Sequence, residues 1–145
     1  MEIGNVTVVP AWLKYAKGTP VYIEPGMAFG TGNHETTALC VSLMQDVGIK
    51  DKRVIDMGCG SGILGITAAV LGAKSVLLSD LDPLATEATE HNARLNGVEK
   101  FAKSRAETLT LTAKKPISCL PTSPPTCLYG FTTNSAKLSA TATTR

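Results

Sequence analysis

The sequence predicts an α/β protein with a doubly wound, mostly parallel sheet, and three observations support this. Two short segments, residues 53–57 (RVIDM) and 75–79 (SVLLS), are apolar on both faces, as are strands of a buried parallel sheet. A helical pattern follows each of them, so the order is strand, helix, strand, helix. The first strand runs into the glycine-rich turn GCGSG, a typical strand-to-helix connection at a binding site.

Upstream of this unit, the sequence predicts two short strands, a glycine-rich loop and a helix. The strands are residues 5–10 (NVTVVP) and 21–23 (VYI), and the loop is EPGMAFGTGNHETT, residues 24–37. The helix is expected to begin near Thr36 and to end at Gly48. Its predicted core residues are Leu39, Leu43 and Met44.

The two later helices have clear boundaries in the sequence. Residues 63–71 are apolar nearly all round and precede Gly72, so we expect a buried helix there. Asp82 is predicted to be the N-cap of the last helix, with Pro83 as its first residue and Leu95 near its end.

The composition changes after about Arg105. Residues 108–145 are rich in Thr, Ser, Pro and Ala, contain no acidic residue, and show no helix or strand period. We therefore expect residues 1–107 to belong to a folded domain and residues 108–145 to be a disordered or frameshifted tail, with the frame changing near Ala113. The sheet would then be incomplete, and the isolated chain would tend to aggregate.

Charge and composition exclude several classes of function. The net charge of +2 is too small to indicate a nucleic-acid or membrane partner. No apolar run is long enough to span a membrane, and the N-terminus has no signal-peptide pattern. The four cysteines show no CxxC spacing and no clustering with His34 or His91, so we predict no metal site and reduced thiols in the cytoplasm.

The segment VIDMGCGSG carries the main binding signal. Asp56 lies at the end of a strand, and Gly58, Gly60 and Gly62 follow at alternate positions. Such a turn lets a ligand lie against bare backbone while helix amides point at it. Asp80, at the end of the next strand, can accept hydrogen bonds from both hydroxyls of a ribose. Together these features indicate a cofactor that contains adenosine.

The same glycines leave two classes of cofactor to compare. Gly60, Gly62 and Gly65 satisfy GxGxxG, the fingerprint of nicotinamide and flavin dinucleotides. However, Asp56 lies just before Gly58, where a carboxylate would repel a pyrophosphate. It would instead suit the positively charged methionine end of S-adenosylmethionine, which is therefore the favoured cofactor.

The order of motifs resembles that of bacterial PrmA-type methyltransferases, which modify the eleventh protein of the large ribosomal subunit. The matching segments are EPGMAFGTGNHETTALC, VIDMGCGSGILGI, LGAKSV, SDLDPLATEA and HNARLNGV, within about residues 3–107. The resemblance implies a Rossmann-like class I methyltransferase fold, here N-terminally shortened and incomplete. It also implies a monomeric cytoplasmic enzyme that uses S-adenosylmethionine to methylate lysine or N-terminal amino groups.

The resemblance implies that Thr37, Gly58 and Asp80 contact S-adenosylmethionine, and that residues 29–32 close over it near the methyl group. The other predicted cofactor-binding residues are Phe29, Gly30, Asp56, Gly60 and Gly62. No catalytic residue is assigned, because the family's Asn-Ile-Leu sequence at the end of the fourth strand is absent. The chain has KKPISCLPTSPPTC there, so we expect impaired or absent catalysis.

Several alternatives stay open at this point. The chain could be a non-catalytic fragment that binds S-adenosylmethionine, or a class I methyltransferase with another protein or small-molecule substrate. Thr36 and Thr37 could be helix caps, and Asp82 could take the ribose in place of Asp80. His91 and Asn92 are interpreted as packing or solvated residues of the last helix.

Overall fold

The computed structural model describes residues 1–13, 17–24, 26 and 35–106, and the backbone of residues 118–121. In chain order, its elements are β1 (Glu2–Ile3), β2 (Val6–Pro10), β3 (Thr19–Ile23), α1 (Glu35–Val47), β4 (Arg53–Met57), α2 (Ile63–Val70), β5 (Ser75–Ser79), α3 (Pro83–Leu95), β6 (Ala102–Arg105) and β7 (Ser118–Pro121). None of the helices in the described ranges has the length and apolarity that a membrane crossing requires.

The larger sheet has the order β6-β5-β4-β7, and all of its strands are parallel. From β4 the chain moves in one direction to β5 and β6, whereas β7 pairs with the opposite edge of β4. The strand order therefore reverses between β4 and β7. In open α/β sheets, ligands bind outside the carboxyl ends of the strands at such a reversal, so the fold directs attention to the end of β4.

The smaller sheet has the order β1-β2-β3, with β1 antiparallel and β3 parallel to β2. Gln45 of α1 holds the turn between β1 and β2. Its side-chain oxygen accepts a hydrogen bond from Asn5 N (2.8 Å), and its Nε2 donates to Ile3 O (2.9 Å). These bonds attach the smaller sheet to α1.

The core surrounds α2, which packs against the larger sheet on one side and against β3 and α1 on others. Helix α2 is buried over residues 63–69, which confirms the helix expected from its apolar sequence. Ile66 of α2 and Leu78 of β5 are both fully buried. Gly65 allows the close packing, since a Cβ added there would lie 2.6 Å from Leu78 Cδ2 and 3.1 Å from Asp56 Oδ2.

This close packing predicts the effect of Gly65→Ala. Alanine favours helix by about 1 kcal/mol over glycine, but overpacking a core costs about 1–3 kcal/mol. Because Leu78 is fully buried, we expect the overpacking to prevail, with a net loss of up to about 2 kcal/mol and a lower Tm in circular dichroism. Glu87→Ala on the exposed side of α3 is the control and should change little. A Tm above that of the wild type would contradict this packing.

The buried side of α1 differs from the prediction. Val41 and Met44 are buried, at 0% and 2% exposure, whereas Leu39 and Leu43 are 61% and 42% exposed. The prediction is confirmed for Met44 and wrong for Leu39 and Leu43. Helix α1 carries two apolar stripes, and periodicity alone cannot choose between them. Packing against α2 and β1 selects the stripe that contains Val41 and Met44.

Strands β4 and β5 have the predicted bounds, but β7 lies in a segment for which no strand was predicted. That prediction is wrong for Ser118–Pro121, which pairs with β4 from Val54↔Ser118 to Met57↔Pro121. The segment SCLP is too short to show a period of its own, so the partner strand determines its conformation. The division of the chain near residue 107 stays a prediction.

Candidate functional site

The glycine-rich turn leaves the carboxyl end of β4 at the point where the strand order reverses. Gly58, Gly60 and Gly62 have φ of 73°, 54° and 79°. This left-handed region is open to glycine and costly for other residues, which explains the alternating glycines. The amides of Gly58 and Cys59 both donate to Ser79 O, at 2.7 and 3.1 Å, so the turn is tied to the end of β5.

Asp80 joins the turn to the end of β5 through its side chain. Its Oδ2 accepts a hydrogen bond from Gly60 N at 2.9 Å, and its Oδ1 accepts one from Asp82 N at 3.0 Å. The residue is partly exposed. Because a carboxylate has about four acceptor positions, two remain available to ligand hydroxyls after these bonds.

Asp82 caps helix α3 and does not bond to the glycine turn as Asp80 does. It is the N-cap of α3, as predicted, and its Oδ1 accepts a hydrogen bond from Leu84 N at 2.9 Å. Of the two carboxylates, Asp80 is the one that bonds to the glycine turn. The alternative in which Asp82 holds a ribose therefore has less support.

Asp56 is completely buried beside the turn. Its Oδ2 accepts a hydrogen bond from Gly65 N at 2.9 Å, close to the start of α2. Within the described part of the chain, its Oδ1 is the buried side-chain oxygen or nitrogen atom that lacks a hydrogen-bond partner. The pKa of Asp56 is raised from 3.8 to about 7, chiefly because the carboxyl group is buried; the Gly65 hydrogen bond lowers the pKa, and the charge of Asp80 adds a smaller rise.

This unpaired oxygen is an available hydrogen-bond acceptor. A buried acceptor without a partner costs free energy, and a cationic donor from a ligand would remove that cost and favour the charged carboxylate. A positively charged ligand group therefore fits Asp56, whereas the Asp56 carboxylate would repel a phosphate.

Thr37 lies at the start of helix α1, which packs against α2. The helix begins at Glu35, so Thr36 and Thr37 lie in its first turn and neither is the N-cap residue. Thr37 is half-buried and is followed one turn later by Cys40. Burial, and to a smaller extent the charge of Asp56, raise the pKa of the Cys40 thiol. First-turn amides have no intrahelical partner and can bind ligand atoms.

Two predicted site residues, Phe29 and Gly30, lie outside the described residues, as does His34. The role of residues 29–32 near the methyl group therefore stays a prediction. The structure brings together the turn glycines Gly58, Gly60 and Gly62 with Asp56 and Asp80. Helix α1 packs against α2, which follows the turn.

Two polar residues of α3 at the turn were not predicted as site residues. Thr89 Oγ1 donates to Gly60 O at 3.0 Å, and Asn92 Nδ2 donates to Ser61 O at 2.9 Å. Both are buried on the same side of α3 as Ala85 and Ala88. A polar residue in line with buried alanines is the signal that could have identified them.

The structure also separates His91 from its neighbour Asn92. His91 is partly exposed, with Nε2 3.5 Å from Glu24 Oε2, so it does not face the turn. Cys59 is buried between the turn and α3, and burial raises its pKa to about 12, which agrees with a packing role. Within the described ranges, no group of three His, Cys, Asp or Glu side chains could hold a metal ion.

The family model and the curated relatives agree on one family. The family model described as "Ribosomal protein L11 methyltransferase (PrmA)" matches residues 1–117. Curated relatives named ribosomal protein L11 methyltransferase include one from Acinetobacter baumannii (strain AYE), 54% identical over 93 residues, covering 63% of this chain and 31% of the relative. Another, from Symbiobacterium thermophilum, is 50% identical over 98 residues, covering 66% of this chain and 32% of the relative. The chain thus spans about a third of the length of these relatives.

Two solved structures are similar to this chain, and the first is an L11 methylase. The ribosomal protein L11 methylase of Lactobacillus delbrueckii subsp. bulgaricus is 34% identical, with a TM-score of 0.69, covering 80% of this chain and 62% of that chain. The Trypanosoma brucei PRMT1 enzyme-prozyme complex with AdoHcy is 25% identical, with a TM-score of 0.52, covering 61% of this chain and 29% of that chain. The predicted class I methyltransferase fold is confirmed, and the described sheet contains part of it.

Proposed function

The chain belongs to the family of ribosomal protein L11 methyltransferases, and from this membership we propose that it binds S-adenosylmethionine through the glycine turn. In our proposal residues 1–107 are the N-terminal part of a catalytic domain. That domain transfers methyl groups to lysine or N-terminal amino groups of a ribosomal protein of the large subunit. The enzyme acts as a cytoplasmic monomer and contacts no nucleic acid directly.

The unpaired Oδ1 of Asp56 is the observation that carries the cofactor assignment. S-adenosylmethionine has a cationic methionine end, whose ammonium group could donate to this buried oxygen. At the other end, the adenosine ribose would donate its hydroxyls to Asp80, which already holds Gly60 N. The separation of a buried carboxylate from a partly exposed one by a glycine turn suits a molecule that is cationic at one end and carries a ribose at the other.

The remaining site residues would contact the cofactor mainly along the main chain of the turn. Gly58, Gly60 and Gly62 leave the turn without side chains, so a ligand can approach the main chain. Thr37 contributes a hydroxyl from the first turn of α1. Phe29 and Gly30 are proposed to contact the cofactor near its methyl group.

The chemistry sets one requirement on the acceptor amine. When bound, S-adenosylmethionine supplies an electrophilic methyl group that a nucleophile takes by direct displacement. The amine must therefore be uncharged and aligned with the methyl group at about 3 Å, and water must be excluded. We assign no residue of this chain to proton removal.

A second candidate function is cofactor binding without catalysis. Strand β7, beside β4, has the sequence Ser-Cys-Leu-Pro, whereas the family resemblance leads one to expect Asn-Ile-Leu at the end of that strand. An acceptor site built with that asparagine would be absent. For this reason we propose that the chain as it stands transfers methyl groups slowly or not at all. A class I methyltransferase with another protein or small-molecule substrate is less favoured, because the family match extends over residues 1–117.

A methyl-transfer assay tests this proposal. The chain is incubated with S-adenosylmethionine labelled in the methyl group and with unmodified large-subunit ribosomal proteins, and the Acinetobacter baumannii relative serves as the active control. We expect bound cofactor and at least about a hundredfold less transfer than the control, since a missing positioning group costs about this much. Transfer at the control rate would contradict the impaired catalysis. The absence of both binding and transfer would contradict the proposed function itself.

A further inference from the structure

We propose that Asn92 is a positioning residue that holds the glycine turn in its cofactor-binding conformation and connects it to the end of β3. This inference rests on the proposed binding of S-adenosylmethionine. Asn92 lies outside the glycine-rich motif and contributes to the site through the backbone of other residues. Both the nitrogen and the oxygen of its side-chain amide form hydrogen bonds to the backbone of these residues.

The Asn92 side chain bridges two segments that are far apart in the chain. It is 0% exposed, its Nδ2 donates to Ser61 O at 2.9 Å, and its Oδ1 accepts from Glu24 N at 2.8 Å. Glu24 follows the last residue of β3, and Ser61 lies inside the turn. Asparagine suits this place because one short side chain offers a donor and an acceptor.

The turn depends on α3 because it has no side-chain cap of its own. Gly62, the N-cap of α2, is a glycine and makes no side-chain cap hydrogen bond. Instead, the carbonyls of Gly60 and Ser61 accept hydrogen bonds from Thr89 and Asn92. Gly62 N donates to Cys59 O at 2.8 Å, so both ends of the Ser61–Gly62 peptide group are hydrogen-bonded.

Fixing these peptide groups prepares the turn for a ligand. Without the bonds from α3, the peptide groups next to Gly60 and Gly62, which both have positive φ, could rotate more freely, and binding would then have to order them. A turn that is already ordered avoids this cost, and the gain appears as affinity. Loss of the Asn92 bonds should therefore weaken cofactor binding even in a chain that remains folded.

Asn96 provides a matched control one turn further along α3. Its Oδ1 accepts from Tyr22 N at 2.8 Å and its Nδ2 donates to Tyr22 O at 2.7 Å. It also bridges α3 to β3 through both groups of its amide. Its Nδ2 donates as well to the backbone oxygen of Asn92 at 2.7 Å, but none of its side-chain hydrogen bonds reaches the glycine turn. Asn92→Asp and Asn96→Asp each replace the side-chain donor by an acceptor. The first removes the bond to Ser61 O in the turn, and the second removes the bond to Tyr22 O of β3.

The experiment measures S-adenosylmethionine binding by calorimetry at low temperature, where circular dichroism shows each variant to be folded. We expect Asn92→Asp to raise the Kd about tenfold or more, because the Ser61 peptide group loses the bond that fixes it and binding must then order the turn. Asn96→Asp should lower the Tm and leave the Kd within about twofold of the wild type. Thr89→Val, which removes the hydroxyl and keeps the shape, should raise the Kd severalfold and provides a test if Asn92→Asp does not fold.

Amide NMR resonances of Gly58, Gly60 and Gly62 supply a readout that does not need the cofactor. We expect them to shift in Asn92→Asp and to stay in place in Asn96→Asp. Unchanged resonances and affinity in folded Asn92→Asp, or in Thr89→Val if only that variant folds, would overturn the inference. Equal losses of affinity in the Asn92 and Asn96 variants would also overturn it. If the wild type does not bind S-adenosylmethionine, the proposed function fails, and the glycine resonances still decide the role of Asn92.

Discussion

Asp80→Ala is expected to weaken the binding of S-adenosylmethionine by about a hundredfold or more. Two hydrogen bonds from ribose hydroxyls to a carboxylate contribute about 1.5–3 kcal/mol each, and about 1.4 kcal/mol corresponds to a factor of ten. The substitution also removes the acceptor of Gly60 N, which helps to hold the turn. Asp80→Asn keeps one acceptor oxygen and should show a smaller loss. Calorimetric titration measures both.

Asp82→Ala is the control for this substitution. It removes a carboxylate two residues away, but that carboxylate caps α3 through Leu84 N. We expect a loss of about 0.5–2 kcal/mol in the free energy of unfolding and an almost unchanged Kd. If the affinity falls in Asp82→Ala and survives in Asp80→Ala, the ribose assignment is wrong.

Asp56→Asn is expected to stabilise the cofactor-free chain at pH 8 and to weaken its cofactor binding. Burial raises the pKa of Asp56 from 3.8 to about 7. Between these values the folded chain holds a proton that the unfolded chain has released, so stability falls as the pH rises. Three pKa units correspond to about 4 kcal/mol, which is the upper limit of the gain. Asparagine retains an acceptor for Gly65 N and carries no charge.

The pH dependence of the stability gain shows whether the gain comes from removing the buried charge of Asp56 or from a change in packing. The groups that act on Asp56 are Asp80 at the end of β5 and the Gly65 amide of α2. Urea unfolding at pH 4, 6 and 8 should show the advantage of Asp56→Asn growing from almost nothing towards a plateau above pH 7. Asp82→Asn, on the exposed cap of α3, should show no such growth. A variant that is less stable than the wild type at pH 8 would contradict the raised pKa.

Ionisation of Asp56 should have the opposite effect on cofactor affinity: it lowers the stability of the free chain but strengthens cofactor binding. A cationic ligand group needs an ionised Asp56, so wild-type affinity should fall as the pH drops below about 7. In Asp56→Asn this pH dependence should be lost. At pH 8 the affinity should be at least about tenfold lower than that of the wild type, because a charge-assisted hydrogen bond is lost.

The part of the fold predicted most accurately is the part with local signals. Strand β4 (Arg53–Met57), strand β5 (Ser75–Ser79) and helix α3 (Pro83–Leu95) have the predicted bounds. Each depends on residues in its own segment: apolar runs for the strands, and the Asp82 cap followed by proline for the helix. Asp56, Asp80 and the turn glycines were predicted because parallel strands bring their carboxyl ends to one edge of a sheet.

The parts that were missed depend on contacts between distant residues. Ser118–Pro121 becomes a strand by pairing with β4, and Ala102–Arg105 becomes one by pairing with β5. The buried stripe of α1 is chosen by what packs against it. Asn92 was interpreted as a packing or solvated residue because the sequence does not show that Glu24 N and Ser61 O lie on either side of it.

The most direct test of the central claim is equilibrium dialysis of the wild-type chain against labelled S-adenosylmethionine at pH 8. The account predicts saturable binding at one site, displaced by S-adenosylhomocysteine, which shares the ribose and the ammonium group. NAD⁺ at the same concentration should not displace it, because its pyrophosphate would lie against Asp56. No saturable binding, or displacement by NAD⁺ as effective as by S-adenosylhomocysteine, would contradict the claim that this glycine turn is a methyl-donor site.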